Sequence, residues 1–268
     1  MRARKKFGQH FLEPAWADRL VAAIEPRSDD RFLEIGPGPG ALTRRLAPLV
    51  GHITAVELDR EMVAALAPRL PPNVTLITED FLEYDLGPLT AGGPVRVVGN
   101  LPYNVSSPIL FRLIAAHRGE GGLRDATLML QREVADRIQA TPGSRDYGVL
   151  AILVQLHADA HRLLTLPPGA FRPAPRVHSA VVRLRFRPPA SVLRDEAVFE
   201  AMVRSMFTQR RKTLLNALRP FAEALGTNPA AALASADVDP RRRAETLQLI
   251  ELARLADFFA AVPHRAVL

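Results

Sequence analysis

Short apolar runs that alternate with stretches of helical spacing constrain this chain most. Residues 31–36, 52–57, 74–78, 95–99 and 126–130 read as strands bounded by turn residues. Residues 41–49, 61–70, 107–117 and 132–140 carry apolar side chains at helical spacing, and the second of these stops at Pro71-Pro72. Such alternation predicts a parallel sheet wrapped by helices on both faces. Right-handed crossovers then gather the C-terminal ends of the strands along one edge. A helix over 147–157 and two more strands, 162–166 and 177–186, follow; an antiparallel pair closes a seven-stranded sheet. Pro188-Pro189 marks a change of composition. Beyond it helices are expected at 197–207, 212–218, 229–235 and 244–261. The pattern predicts an α/β domain over residues 1–189 and a small all-α domain over 190–268.

The motifs fall at the strand ends. Glu34-Ile35-Gly36-Pro37-Gly38-Pro39-Gly40 follows the first strand and precedes a helix. Glycines there allow a tight turn and close approach of a ligand. A dinucleotide site would place its third glycine differently and seat a pyrophosphate on the helix N-terminus. Pro39-Gly40-Ala41 breaks that spacing, so a donor without phosphate, S-adenosylmethionine, fits better. Gly36 and Gly38 are the candidate contacts. Glu57, ending the second strand, suits a carboxylate that accepts from both ribose hydroxyls, with Leu58 beside it. Asp80-Phe81 follows the third strand; the carboxylate could accept from an adenine amino group while Phe81 covers a ring face. Taken alone, Asp80 could equally be a simple N-cap; for Glu57 a helix-capping role is the lesser alternative.

Asn100-Leu101-Pro102-Tyr103 follows the fourth strand. The exocyclic amine of adenine is a poor nucleophile because its lone pair is delocalised into the ring. Accepting both its N–H bonds, at the Asn100 side-chain oxygen and the Leu101 carbonyl, draws the nitrogen toward tetrahedral geometry and aims the lone pair. Pro102 fixes its own φ and keeps Leu101 extended. Tyr103 is placed to stack on the base, and Phe171 is a candidate for the opposite face.

Charge bears on the partner. The net charge is +7 with a pI near 10.6, which favours a polyanion. No acid lies between Asp159 and Asp195, an interval that holds Arg162, Arg172, Arg176, Arg183, Arg185, Arg187 and Arg194. None lies between Glu200 and Glu223, where Arg204, Arg210, Arg211, Lys212 and Arg219 occur. Arg172, Arg176, Arg204, Arg210, Arg211 and Lys212 are therefore the candidate phosphate contacts. The chain has no cysteine, which excludes disulfides, thiolate zinc sites and a cysteine nucleophile; no metal is expected. No apolar run approaches a membrane span, and no signal-peptide core follows the basic N-terminal arm, residues 1–6. A cytoplasmic location is expected.

These residues closely resemble the rRNA adenine N6-dimethyltransferases of the KsgA/RsmA type. The matching pieces are Phe7-Gly8-Gln9-His10-Phe11-Leu12, Glu34 to Gly40, Val56-Glu57-Leu58-Asp59, Glu79-Asp80-Phe81 and Gly99-Asn100-Leu101-Pro102-Tyr103-Asn104. Gln131-Arg132-Glu133-Val134, Phe171-Arg172-Pro173-Ala174-Pro175-Arg176-Val177 and Gln209-Arg210-Arg211-Lys212-Thr213 follow in order. The resemblance implies a seven-stranded S-adenosylmethionine-dependent methyltransferase (Rossmann-like) fold with a small all-α C-terminal domain that contacts RNA. It implies dimethylation of two adjacent adenines near the 3′ end of small-subunit (16S) rRNA within an assembling 30S particle, with S-adenosylhomocysteine as product. It also implies that His10, Leu12, Gly36, Glu57, Asp80 and Asn100 line the donor site, and that Tyr103 and Phe171 sandwich the base. Many members have Asn where this chain has His10. A monomer with no membrane or DNA partner is expected.

Three alternatives remain at this point. An erythromycin-resistance type enzyme acting on large-subunit 23S rRNA shares the chemistry. A non-catalytic RNA-binding assembly factor could keep the fold. An NAD-dependent dehydrogenase is disfavoured by the glycine spacing.

Overall fold

The structure, a computed structural model, describes residues 10–120 and 122–262. The basic arm over 1–6 and the Phe7-Gly8-Gln9 part of the first motif lie outside the described residues. Seven strands form the main sheet: β1 (Arg31–Ile35), β2 (His52–Glu57), β3 (Val74–Thr78), β4 (Val95–Asn100), β5 (Leu123–Gln131), β6 (Ala158–Leu166) and β7 (Ser179–Phe186). Their order is β3-β2-β1-β4-β5-β7-β6. The first five are parallel, and β7 runs antiparallel between β5 and β6. This is the α/β sheet with an antiparallel closing pair that the strand pattern predicts.

Burial explains why the strands read so plainly. β1, β2 and β4 are buried at successive residues, so both faces of the sheet are covered and alternation disappears. β3, at one edge, is only partly buried. Chain direction across the sheet reverses between β1 and β4, because β2 and β3 lie on one side of β1 and β4 on the other. Such a switch point opens a crevice at the carboxyl ends of those two strands. Ile35 pairs with Gly99 there, so the glycine loop after β1 and the Asn100 segment after β4 emerge side by side.

The opposite edge is closed by charge. Arg96, at the start of β4, donates to Asp30 (2.7 Å), to both oxygens of Asp125 (3.0 and 3.1 Å) and to the Ile24 and Glu25 carbonyls (2.8 and 3.2 Å). Arg183 donates to the Ala23 and Ile24 carbonyls (2.5 and 3.0 Å). Two guanidinium groups thus satisfy the last carbonyls of a helix over Pro14–Ile24. No strand or helix was expected before residue 31. The helix was nonetheless legible: Ala17, Leu20, Val21 and Ile24 are buried at helical spacing behind a proline in the first turn.

A second, two-stranded sheet pairs Phe11–Leu12 with Phe171–Arg172, antiparallel, Phe11 opposite Arg172 and Leu12 opposite Phe171. It turns Leu12 and Phe171 into the core with Met129, Leu166 and Val181.

By contact the chain divides into two units, Met1–Ala135 with Ala158–Arg187 and Asp136–His157 with Pro188–Leu268. A single break at residue 190 therefore misses one crossing. The helix Val149–His157 is buried on nearly every residue, so it needs cover on all sides. In the helical unit Tyr147 is fully buried and donates to the Leu247 carbonyl at 3.0 Å. Asp195 caps the helix Glu196–Thr208, and Gln248 with Glu251 forms a capping box on Leu249–Ala260. The helix Leu214–Ala224 continues through Pro220, where the sequence pattern stops at residue 218. Pro220 and Asn216, whose carbonyl loses its partner, are both exposed, so water can replace the missing bond.

Candidate active site

A cavity of about 350 Å³ opens at the switch point, within the size range of small-molecule sites. The expected donor residues His10, Leu12, Gly36, Gly38, Glu57, Leu58, Asp80 and Phe81 all line it. So do the expected acceptor residues Asn100, Leu101, Pro102 and Tyr103. The backbone reason is local: every one of these segments leaves a parallel strand at the same edge or, like His10, is strapped across it.

The glycine loop makes the cavity's floor. Gly36 and Gly38 adopt φ of +66° and +53°, which side chains with a Cβ rarely take. A Cβ on Gly36 would meet nothing within 4 Å, so its conformation, not crowding, requires glycine. Glu57 closes the loop from β2: one carboxylate oxygen accepts from the Gly38 N–H and the other from the Asp59 N–H, both at 2.9 Å. Burial pushes the Glu57 carboxyl up. Asp80 accepts from the Leu82 N–H at 2.9 Å with Oδ1, a capping contact that leaves Oδ2 facing elsewhere. Leu58 is half-exposed and Phe81 buried, giving two apolar surfaces on the wall.

Glu34, quoted in the glycine motif but given no role there, is a buried acid with an unpartnered oxygen. It is 2% exposed, it lines the cavity, and its Oε2 has no hydrogen-bond partner. Burial raises its carboxyl to about 7. An acid inside the apolar strand of residues 31–35 was the available signal, because a buried carboxyl without a partner implies a ligand or a function. Among the described residues four acids line the cavity, Glu34, Glu57, Glu79 and Asp80, and no Arg or Lys does. That set repels a pyrophosphate and attracts a cation, which fits the sulfonium and ammonium of S-adenosylmethionine and disfavours NAD.

Asn100 ends β4, and its Nδ2 donates to the His10 carbonyl at 2.6 Å. A carbonyl can only accept, so the amide is locked with its oxygen on the other side. Tyr103 is half-buried, and its hydroxyl shares a 2.7 Å hydrogen bond with Ser179 at the start of β7. Burial pushes the phenol up, so it stays neutral. The His10 ring lies 5.7 Å from the Tyr103 ring at 25°, and its Nδ1 contacts the Pro173 carbonyl at 2.7 Å.

Two of the expected residues lie away from the cavity. Phe171 does not line the cavity; it is 1% exposed, because pairing with Leu12 turns its ring into the core. Arg210 is tied inward to Glu245 (2.6 Å) and to the Ser144 and Arg145 carbonyls (3.3 and 2.5 Å), so most of its donors serve the helical unit. Arg172 and Arg204 pair with Glu13 and Glu200 at the surface, and Arg176, Arg211 and Lys212 are exposed. Arg183, part of the acid-free interval, is buried in the opposite edge.

A family model described as ribosomal RNA adenine dimethylase matches residues 1–260. The ribosomal RNA small subunit methyltransferase A of Chromohalobacter salexigens is 43% identical over 267 residues, covering 96% of this chain and 92% of that one. A dimethyladenosine transferase from Plasmodium falciparum has a similar structure, with a TM-score of 0.77 at 26% identity over 92% of this chain and 96% of that chain. The 23S rRNA methyltransferase ErmE follows with a TM-score of 0.67 at 27% identity over 92% and 98%. Family, fold and an acid-lined cavity at the switch point agree: the chain belongs to the ribosomal RNA adenine dimethylase family and is an enzyme that methylates adenine in rRNA with a donor of the S-adenosylmethionine type.

Proposed function

We propose that the enzyme dimethylates N6 of two adjacent adenines near the 3′ end of small-subunit rRNA, acting as a cytoplasmic monomer on an assembling 30S particle. The observation that carries the chemistry is the Asn100 amide, locked by the His10 carbonyl at the mouth of the acid-lined cavity. The relatives at 43–45% identity are named for the small subunit, whereas ErmE, named for 23S rRNA, is 27% identical.

Glu57 would hold the donor's ribose hydroxyls and Asp80 its adenine amine, with Leu58 and Phe81 against the ring. The Gly36 and Gly38 backbone, with His10 and Leu12, would complete that wall. When bound, S-adenosylmethionine supplies a methyl group activated by sulfonium and leaves as S-adenosylhomocysteine. The Asn100 oxygen and the Leu101 carbonyl accept the two N–H bonds of the target amine, orienting its lone pair toward the donor side. Tyr103, held by Ser179, stacks on the base. No side-chain base is needed, because the methylated ammonium is acidic enough to release its proton to water. One N–H remains after the first transfer, so one of the two acceptors can still hold the amine for the second. Arg172, Arg176, Arg204, Arg211 and Lys212 hold phosphates; their surface ion pairs are weak enough to exchange for RNA.

Undermethylated small subunits and naked large-subunit rRNA, each offered with labelled donor, test the assignment. Label in N6,N6-dimethyladenosine of the small subunit is expected. Label confined to large-subunit rRNA would overturn it in favour of the other substrate. RNA binding without transfer to either would favour a non-catalytic assembly role.

A further inference from the structure

Resting on the donor wall proposed above, we infer that Arg44 is a positioning residue for the methyl donor. From outside the cavity it clamps the end of the glycine loop and partly balances the charge of Glu34. Arg44 is exposed and does not line the cavity. The loop it serves has already spent its own donors. The Gly36 and Gly40 N–H groups donate to the Val56 and Pro37 carbonyls, both at 2.9 Å, and the Gly38 N–H donates to Glu57 at 2.9 Å. Pro37 and Pro39 have no N–H to give. Any further tie on the loop has to come from a donor outside it, acting on a carbonyl.

Arg44 supplies such ties from both its backbone and its side chain. Its N–H donates to the Gly40 carbonyl at 3.2 Å, and its Nη1 donates to the Pro39 carbonyl at 2.6 Å. Among the described residues no other group donates to that carbonyl. Pro39 lines the cavity, so the guanidinium fixes a wall residue from behind. Gly40 shows how closely the loop's end is gripped. A Cβ there would come within 2.5 Å of Leu66 Cδ1 and 3.3 Å of Arg44 Nη1. The same cation bears on Glu34. Burial pushes the Glu34 carboxyl up, the Glu57 carboxylate adds to that, and Arg44 pulls it down. Ionised Glu34 is the form that attracts the donor's ammonium, so the clamp and the charge favour the same bound state.

Calorimetry with S-adenosylhomocysteine on R44M and R44K, across the neutral pH range, tests this. Thermal unfolding and transfer to undermethylated small subunits are followed on the same preparations. R44M removes the side-chain tie and the charge. Its affinity should fall by about two- to tenfold, the range for one hydrogen bond. The KM for S-adenosylmethionine should rise with it, while kcat and the KM for the subunit stay within about twofold. Wild-type affinity should climb as pH rises toward 7 and Glu34 ionises, then level off. Without the Arg44 charge the climb should lie at higher pH. R44K, which keeps the charge and an N–H donor, should return the climb to its wild-type position and recover most of the affinity. A merely structural role would lower the unfolding temperature without moving the climb. Wild-type affinity in R44M would overturn the inference, as would a wild-type affinity flat through neutral pH or an R44M climb at the wild-type pH. A wild-type protein that binds S-adenosylhomocysteine but labels no adenine would instead fail the functional reading itself.

Discussion

The two edges of the sheet bury polar groups in opposite ways. At the N-terminal edge Arg96, Asp30 and Asp125 are each at most 6% exposed, and every charged group of this cluster is bonded to another or to a helix carbonyl. At the C-terminal edge Glu34 and Glu57 are buried to a similar degree, yet the Glu34 Oε2 has no partner and both carboxyls are pushed up. Both edges meet the cost of burying charge, but only one recovers it within the protein. The saturated edge builds the fold; the unsaturated edge is left for a ligand. Burial of charge alone therefore does not mark a site, nor does one unpartnered donor such as the Arg183 Nε; an unpartnered carboxyl that lines the cavity does.

The largest expected effect comes from breaking the saturated edge. Replacing Arg96 with Met leaves Asp125 buried without its cation, Asp30 with only the half-exposed Arg124, and the Ile24 carbonyl with only its Arg183 donor. Denaturant unfolding should show a loss of about 3–5 kcal/mol. A loss below 1 kcal/mol would mean that this edge is no more saturated than the other.

The unsaturated edge should respond with the opposite sign. Glu34 holds its proton up to about pH 7 in the folded chain, against an ordinary value of 4.5. Protonation thus favours the folded state, and the Glu34 contribution to ligand-free stability should be greatest below about pH 4.5, fall as pH rises toward 7, and level off above it. The fall attributable to Glu34 is up to about 3 kcal/mol, with Glu57 adding in the same direction. E34Q should flatten the profile while weakening binding of S-adenosylhomocysteine. An unchanged slope in E34Q would show that Glu34 is satisfied after all.

The smallest effect concerns the Tyr103 anchor. Y103F removes the hydroxyl bonded to Ser179 and keeps the ring. Thermal unfolding should report a loss of about 0.5–1.5 kcal/mol, and transfer should fall only a few-fold. A loss of transfer as deep as that of Y103A would assign the chemistry to the hydroxyl rather than the ring.

Much of this was legible in the sequence because the informative groups sit at strand ends. β2 and β3 occupy the residues their apolar runs indicate, and Glu57, Asp80 and Asn100 fall at the edge that parallel connections dictate. Position along a strand is a local property. The fate of Phe171 is not: it depends on pairing with Leu12, far away in the chain, through a sheet too short to show periodicity. The pairing of Arg210 is equally non-local, since Glu245 and the Ser144 carbonyl reach it only in the fold. Glu34 is the converse case, an acid whose burial the strand pattern already implied.

Asn100 tests the central claim most directly. N100A removes the oriented amide oxygen and leaves the cavity's acids and the surface arginines in place. Methyl transfer to undermethylated small subunits should fall by at least about 10²-fold, while S-adenosylhomocysteine affinity falls modestly and subunit binding remains near wild type. Transfer at the wild-type rate in a folded N100A protein would contradict the account.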